Sequence, residues 1–283
     1  MFLGLETEYK KFNNQFSEFF EKYNSVRKKY IPAILWQSMT YSFDSGGKRF
    51  RPFLSYLIAE TLGVDSKKIM SVALAVEMIH TYSLIHDDLP CMDNDDFRRG
   101  QPTNHKKFGE DIALLAGDAL QAEAFWCLAH DEFNSANQKI SVIQIFSNLI
   151  GSAGMVAGQV LDMKSTPQIT LQELENIHHK KTAELISFAV LGAALFSNAT
   201  ESQMTFFKIF SKNLGLAFQI KDDLLDGLDG AQDHKSYLKI LGLEKTKEKI
   251  IQHSKSAEKA LAETSLNTVA LQKIIKFNLT RDK

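Results

Sequence analysis

The sequence predicts an all-α fold in a single domain spanning residues 1–283. Apolar residues recur at spacings of three and four over long stretches, whereas the sustained alternation typical of strands is absent. Only five prolines occur and none follows Pro167, so little interrupts helices in the last part of the chain. A hydrophobic fraction of 44% supplies a core, and no repeat or low-complexity linker marks a domain boundary.

Five segments carry the helical pattern most clearly. In chain order they are residues 69–85, 112–128, 171–195, 206–225 and 266–279. Two helix starts are marked by Thr170 with Glu173 and by Thr200 with Gln203, because such pairs satisfy the free N–H groups of a first turn. The lysine-rich stretch 245–259 is expected to be a solvated helix face.

Residues 140–161 carry no formal charge and are long enough to cross a hydrocarbon core of about 30 Å. However, Ser141, Gln144, Asn148 and Ser152 recur at spacings of three and four and mark one polar face. We therefore expect a buried core helix here and no membrane span.

Charge and composition exclude several classes of function. Lys and Arg total 33 against 34 Asp and Glu, a net charge of −1, so no basic excess points to nucleic acid or to an anionic membrane. Cys91 and Cys127 are too few for a disulfide framework, and residues 1–9 lack the basic head and apolar core of a signal peptide. We expect a cytoplasmic protein.

Two clusters of aspartates stand at the ends of predicted apolar helices. The first acidic cluster is Asp87, Asp88 and Asp93 in SLIHDDLPCMDNDDFRRG, and the second acidic cluster is Asp222, Asp223 and Asp226 in AFQIKDDLLDG. Crowded carboxylates repel one another and lose hydration, so they need a cation or a salt-bridge partner. Mg²⁺ prefers such oxygen ligands and usually bridges them to substrate phosphates, so the clusters predict a magnesium site.

The sequence spacing within each cluster indicates whether its carboxylates can bind the same metal ion. Asp222 and Asp226 are four residues apart and so lie on one helical face. Asp87 and Asp93 are six apart, but a kink at Pro90 would bring Asp93 back toward Asp87. An isolated cluster of this kind would more often be a solvated turn, whereas two clusters that each close an apolar helix favour a site.

Cationic residues accompany both clusters. They are Lys48, Arg49 and Arg51 in GGKRFRP, Arg98 and Arg99 after the first acidic cluster, and Lys181 in HHKKTAEL. Guanidinium groups bind phosphate oxygens in a bidentate way, and Gly46 and Gly47 would let the backbone approach such a group. His80 lies seven residues before Asp87, on nearly the same face. Taken singly, each of these residues would more often be an ordinary surface charge or a structural histidine. Together they predict a binding site for an anion.

At these residues the sequence resembles the short-chain trans-prenyl diphosphate synthases, most closely the bacterial farnesyl diphosphate synthase type. The motifs that carry the resemblance follow the family's order within residues 46–226: GGKRFRP, EMIHTYSLIHDDLPCMDNDDFRRGQPTNHKKFGED, LLAGDAL, GQVLDM, HKKTAEL and AFQIKDDLLD. The resemblance implies a helical bundle around a deep central cavity, a homodimer, and Mg²⁺ bound by both acidic clusters.

The resemblance also implies a role for each residue. The catalytic residues are Asp87, Asp88, Asp93, Asp222, Asp223 and Lys181, and the metal ligands are the six aspartates, including Asp226. Arg98 would bind the allylic diphosphate, Lys48, Arg51, His80 and Arg99 the isopentenyl diphosphate, and Lys181, Thr182 and Gln219 would line the reacting allylic group. The implied reaction ionises dimethylallyl or geranyl diphosphate and joins the cation to isopentenyl diphosphate, giving farnesyl diphosphate.

Product length depends on the floor of the cavity. Tyr82, with Ser83 beside it, lies five residues before Asp87, about 7.5 Å along a helix at 1.5 Å per residue. The resemblance makes an aromatic ring here a sign of a farnesyl product. The same stretch also resembles plastid geranylgeranyl diphosphate synthases, so a longer product stays an alternative, as does a Tyr82 that is plain core.

After Asp226 the sequence departs from the family pattern, because the segment up to residue 242 is shorter. The first lysine of the family's loop has no counterpart, and Lys235 in HKSY is the remaining candidate for a closing phosphate contact. This favours, as an alternative, a non-catalytic partner subunit, which would be expected to lose an aspartate motif; both are intact. A terpene cyclase would not need GGKRFRP, His80 and Arg99.

Overall fold

A computed structural model of the chain describes residues 2, 4–166, 168–228 and 235–282. Within these residues the fold is almost wholly α-helical, as the sequence predicts. The helices are α1 (Glu6–Arg27), α2 (Ala33–Asp44), α3 (Phe50–Thr61), α4 (Met70–Asp87), α5 (Asn104–Phe108), α6 (Glu110–Ala129), α7 (Ala136–Ile150), α8 (Met155–Lys164), α9 (Leu171–His178), α10 (Glu184–Phe196), α11 (Glu201–Leu228), α12 (Tyr237–Leu241), α13 (Leu243–Ala262) and α14 (Val269–Thr280). Two short strands, β1 (Phe97–Arg98) and β2 (Gln101–Pro102), pair antiparallel. That all of residues 1–283 form one domain stays a prediction.

Helix α4 lies at the centre of the core. Its apolar residues are distributed around the whole circumference, and buried side chains such as Val72, Leu74 and Ile79 face different neighbours. A helix that is hydrophobic all round is stable only when other helices cover it, and α3, α6 and α10 do so. The residues at the carboxyl end of α4 therefore stand where the core opens.

Both predicted helix starts are confirmed. The Glu173 carboxylate accepts the N–H of Thr170 at 2.9 Å, and the Thr170 hydroxyl accepts the N–H of Glu173 at 3.3 Å. Thr200 and Gln203 make the corresponding pair of bonds at 2.9 and 3.2 Å. Each pair satisfies donors that the first turn of a helix leaves free.

The predicted helix over residues 171–195 is interrupted by one wide turn. Between α9 and α10, His179–Ala183 forms a π-helical segment. Two glycines allow neighbouring helices to approach it: a Cβ on Gly158 of α8 would lie 2.3 Å from the backbone nitrogen of Lys181, and one on Gly215 of α11 would lie 2.5 Å from the Cβ of Ala183. A residue with any side chain at either glycine would displace the π segment.

The prediction of one buried core helix over residues 140–161 is wrong. Helix α7 ends at Ile150, a turn follows, and α8 starts at Met155. A Cβ on Gly154 in that turn would lie 1.9 Å from the carbonyl oxygen of Leu149, so the close turn depends on glycine. Ile140 is 55% exposed and Val160 53%, because each helix buries only one face.

Three helical stretches among the described residues are long and apolar enough to cross a membrane by length and composition alone. These are Ser66–Asp87, Glu110–Ala129 and Ala136–Lys164, and of the apolar 18-residue window in each, 78%, 44% and 28% respectively is buried inside the structure. The absence of a membrane span stays a prediction.

Candidate active site

Two adjoining cavities open at the carboxyl end of α4. The larger has a volume of about 390 Å³, and Asp87 and Tyr82 line it. The smaller has a volume of about 280 Å³ and is lined mainly by basic residues. Arg51 and His80 line both cavities, so the two spaces meet at these side chains.

Within the first acidic cluster, Asp93 returns to Asp87 as predicted, although not by a kink in a helix. Helix α4 ends at Asp87, before Pro90, and the following turn is closed by a hydrogen bond from the N–H of Asp93 to the carbonyl oxygen of Asp87 at 2.9 Å. The amide of Gln159 on α8 donates to the Asp87 carboxylate at 2.8 Å. Burial, opposed by Lys181 and reinforced by the charge of Asp93, raises the pKa of Asp87 to about 6.

Asp88 lies apart from Asp87, because successive residues at the end of a helix point in different directions. Its side chain is 3% exposed and accepts hydrogen bonds from the guanidinium group of Arg98, with Nε at 2.7 Å and Nη2 at 2.6 Å. Arg98 also lies 3.4 Å from Asp95. The structure thus pairs Asp88 and Arg98 with each other.

The second acidic cluster lies in the last two turns of α11. Asp222 accepts a hydrogen bond from Arg281 at 2.5 Å, and burial raises the pKa of Asp222 although Arg281 opposes the shift. Asp226 is exposed. Asp223 is buried and binds protein groups: the amide of Gln219 donates to it at 3.1 Å and the N–H of Tyr237 at 3.0 Å. Asp223 therefore joins α11 to the start of α12.

The carboxylates of both clusters fit Mg²⁺ in chemistry and in charge. Among residues 2, 4–166, 168–228 and 235–282, no three His, Cys, Asp or Glu side chains lie close enough to hold a metal by themselves. Mg²⁺ keeps several waters and takes substrate oxygens beside one or two carboxylates. Burial raises the pKa of Asp87, and a cation bound beside this carboxylate would lower that pKa again.

The smaller cavity brings together four residues that sequence analysis assigned to one diphosphate. They are Lys48, Arg51, His80 and Arg99. The Nε of Arg51 is buried and has no hydrogen-bond partner among the described residues. Burial, together with the charges of Arg51 and Arg99, lowers the pKa of His80 well below its usual value, so the ring is neutral near pH 7.

Two further charged residues of this cavity, Glu77 and Arg281, were not predicted. Glu77 on α4 binds Arg49 at 2.5 Å, and Arg49 has a positive φ of 46°. Arg281, near the carboxyl end of the chain, lies over the ring of Phe218 at 4.1 Å. Glu77 could have been noticed as the one acidic residue between residues 70 and 86; nothing in the sequence places Arg281 beside Asp222.

The floor of the larger cavity is aromatic. Tyr82 is buried, and its ring meets the ring of His86 edge to face at 5.5 Å. Ser83 and Leu114 also line the cavity. A Cβ on Gly117 of α6 would lie 2.0 Å from Nε2 of His86, so His86 occupies space that only glycine leaves open. Tyr82 and Ser83 thus stand where the sequence places them, and His86 was missed.

Opposite α4, the π segment presents Lys181 and Thr182 to the larger cavity. The hydroxyl of Thr182 donates to Gln219 on α11 at 2.7 Å. The ammonium group of Lys181 donates to Asp162 on α8 at 2.6 Å, and that of Lys235 donates to the same carboxylate at 3.1 Å. Asp162 was not predicted as a site residue, although it lies in GQVLDM. His234 of the HKSY block lies outside the described residues.

Comparisons with known proteins agree with this geometry. The sequence model of the polyprenyl synthetase family matches residues 32–265. The farnesyl diphosphate synthase of Bacillus subtilis (strain 168) is 41% identical, over 96% of this chain and 95% of that protein. The chloroplastic geranylgeranyl pyrophosphate synthase of Catharanthus roseus is 43% identical, over 86% of this chain and 74% of that protein. The crystal structure of a geranyltransferase from Legionella pneumophila superposes with a TM-score of 0.90, at 32% identity, and covers 98% of this chain and 97% of that one.

Proposed function

Because the chain belongs to the polyprenyl synthetase family, we propose that it is a farnesyl diphosphate synthase, which condenses isopentenyl diphosphate with dimethylallyl or geranyl diphosphate. The observation that carries this proposal is the pair of adjoining cavities. One has six basic residues in its wall, the other is mainly apolar and has Asp87 in its wall, and Arg51 and His80 line both. A reaction between two diphosphates needs two such spaces that meet where the new bond forms.

The basic cavity is suited to the substrate whose diphosphate does not leave. Arg51 offers a buried N–H without a partner among the described residues, and a fork of N–H groups matches phosphate oxygens. The neutral ring of His80 adds a hydrogen-bond donor without adding charge. These groups would hold isopentenyl diphosphate with its alkene directed at the larger cavity.

The larger cavity is suited to the substrate that ionises. Four carboxylates of the two acidic clusters would hold Mg²⁺, whose charge stabilises the departing diphosphate. They are Asp87, Asp93, Asp222 and Asp226. Asp88 and Asp223 would complete the six predicted ligands. Asp88, Asp222 and Asp223 are bound by Arg98, by Arg281, and by Gln219 with Tyr237, and each would have to give up these contacts to bind the metal.

The chain's own residues then control the reaction. Lys181 stands at the cavity beside Asp87, where its charge favours the departing diphosphate. Thr182 lines the larger cavity and donates its hydroxyl hydrogen to Gln219, so Gln219 would hold Thr182 beside the allylic group. The allylic C–O bond breaks, the alkene attacks the cation, and a proton leaves the new chain. Apolar walls such as Leu185 and Met155 exclude the water that would otherwise capture the cation.

The proposal is tested by incubating the purified protein and Mg²⁺ with isopentenyl diphosphate and, in separate reactions, dimethylallyl, geranyl and farnesyl diphosphate. We expect the first two primers to give a C15 product and farnesyl diphosphate to be extended poorly. A main product of C20 would favour the second candidate, a geranylgeranyl diphosphate synthase, which the similarity to the Catharanthus roseus protein supports. No product with any primer would favour a non-catalytic subunit.

Chain length is proposed to depend on Tyr82. Replacing it by alanine should shift the product from C15 toward C20, because removing a ring leaves a cavity that a packed interior refills only in part. Product length is read by chromatography, with Tyr82→Phe as the matched control, which keeps the ring and should keep C15. A folded but destabilised Tyr82→Ala variant that still stops at C15 would mean that the floor lies elsewhere, with His86 as the next candidate.

A homodimer is also part of the proposal. Leu114 on α6 and Val160 on α8 are about half exposed, at 47% and 53%, and Leu114 is at the same time a wall of the larger cavity. A second copy that covers this face would remove the apolar surface from water and close the wall. We expect Val160→Glu to shift the protein toward monomer in sedimentation. Val26→Glu, at an exposed site on α1, is the control and should sediment as the unaltered protein does.

A cytoplasmic location is likewise proposed from composition. Cys91 and Cys127 are both free thiols, as a reducing compartment requires.

A further inference from the structure

One carboxylate on α8 holds two lysines of the candidate site. Oδ2 of Asp162 accepts a hydrogen bond from Nζ of Lys181 at 2.6 Å. Nζ of Lys235 donates both to Oδ1 of Asp162 at 3.1 Å and to its carbonyl oxygen at 2.8 Å. Burial raises the pKa of Asp162, but the two lysines outweigh it and hold that pKa below its usual value, so the group is ionised near pH 7.

The carboxylate lies next to the first acidic cluster. Gln159, three residues before Asp162 on α8, shares its helical face and donates to Asp87 at 2.8 Å. Helix α8 therefore contacts Asp87 through Gln159, and it contacts Lys181 and Lys235 through Asp162. Lys181 is close enough to Asp87 to lower its pKa against the effect of burial.

The two lysines come from distant parts of the chain. Lys181 belongs to the π segment, whereas Lys235 comes immediately before α12. The start of α12 is fixed in turn, since the Ser236 hydroxyl accepts the N–H of Lys239 at 3.3 Å and Asp223 accepts the N–H of Tyr237 at 3.0 Å. Lys235 is thus held at its backbone by α12 and at its ammonium group by Asp162.

We propose that Asp162 is a positioning residue: it holds the ammonium group of Lys181, which lines the larger cavity with Asp87, together with that of Lys235, so that both bind the diphosphate of the allylic substrate. This inference rests on the proposed function. Two ammonium groups that bind the same carboxylate repel each other, and both side chains lose rotamer freedom when they are held. The carboxylate offsets the repulsion before substrate arrives, so the donors need not be rearranged when charge develops on the leaving diphosphate.

The proposal predicts coupling between Asp162 and each lysine. Asp162→Asn keeps the shape and removes the charge. We expect it to lower kcat/KM for geranyl diphosphate about 10- to 100-fold, with little change in KM for isopentenyl diphosphate, since the donors that lose their orientation bind the allylic diphosphate in the ground state as well as in the transition state. Lys235→Met should cost on the order of tenfold in the unaltered protein but less than about twofold in Asp162→Asn, because interacting residues are not additive. Lys181→Met should show the same dependence.

Lys239→Met is the matched control, since Lys239 is exposed on α12 and has no ion-pair partner among those described. Its effect should be negligible in both backgrounds. Calorimetric titration of Mg²⁺-loaded protein with geranyl diphosphate alone, where no condensation occurs, gives a second readout and should show the same coupling in affinity. Thermal unfolding identifies variants that are merely unstable.

The outcomes separate the two proposals. Additive effects of Asp162→Asn and both lysine replacements, in rate and in affinity, would overturn the positioning role while leaving an active synthase. An unaltered protein that makes no product from any primer would overturn the proposed function itself. Coupling in both readouts, with unfolding midpoints unchanged, would support the positioning role.

Discussion

Replacing Asp87 by alanine is expected to lower turnover about a thousandfold, because losing a ligand of the metal that stabilises a leaving group costs several kcal/mol in the transition state. The fold should be retained. Among the residues that the structure describes, the Asp87 side chain accepts one hydrogen bond, from Gln159, and its raised pKa means that burying its charge already opposes folding. Steady-state turnover with geranyl diphosphate, beside circular dichroism, measures both effects.

Asp96→Ala is the matched control for this prediction. Asp96 lies in the same loop, is exposed and pairs with Lys106 at 2.7 Å, so its removal should change turnover little. Excess chelator should abolish turnover of the unaltered protein. Asp223→Ala is also expected to lower turnover by orders of magnitude, but with a loss of stability, because Gln219 and Tyr237 lose their acceptor. Full activity of Asp87→Ala, or of the unaltered protein in chelator, would contradict the metal mechanism.

Arg51→Ala should raise KM for isopentenyl diphosphate about 10- to 100-fold, since a hydrogen bond to a charged group is worth about 1.5–3 kcal/mol. The contact acts in the ground state and the transition state alike, so kcat should fall less than KM rises. Lys48→Ala should act in the same direction but more weakly, because Lys48 is exposed. Initial rates at varied isopentenyl diphosphate measure the effect.

The Arg51→Lys variant tests whether a positive charge alone is enough to bind the diphosphate. It keeps the charge and loses the planar fork, so it should recover part of the affinity only. Affinity for the allylic substrate should change less in every Arg51 and Lys48 variant. The assignment of the two cavities would be reversed if titrations found the larger loss with geranyl diphosphate.

The sequence predicts the central helices well because their periodicity is clean. The apolar pattern over residues 69–85 and 112–128 matches α4 and α6 within two residues at each end. Helix α1 was not predicted, since its buried Phe12, Phe16 and Tyr23 are outnumbered by polar and charged residues. The π segment was also missed, because one extra residue in a turn shifts a pattern without erasing it.

The residues of the candidate site were likewise predicted only in part. Residues grouped by adjacency, such as Asp87 with Asp93, come together as predicted because the chain between them is short. Glu77, Asp162 and Arg281 are single charged residues whose partners lie far away in the sequence, so only the fold reveals them. Adjacency also misleads, since Asp88 follows Asp87 and yet is bound by Arg98.

The close approach of α8 and α11 to the π segment has a consequence for how the gene can vary. At Gly158 and Gly215 the obstacle is the first carbon of any side chain, so alanine is as unwelcome as tryptophan. In a library of randomised codons, selection for active enzyme should therefore return a single amino acid at both positions. At Val160, two residues from Gly158 on the exposed face, the same selection would tolerate several apolar replacements. The two positions that tolerate the fewest substitutions would then be Gly158 and Gly215, which have no side chain and take no part in the chemistry.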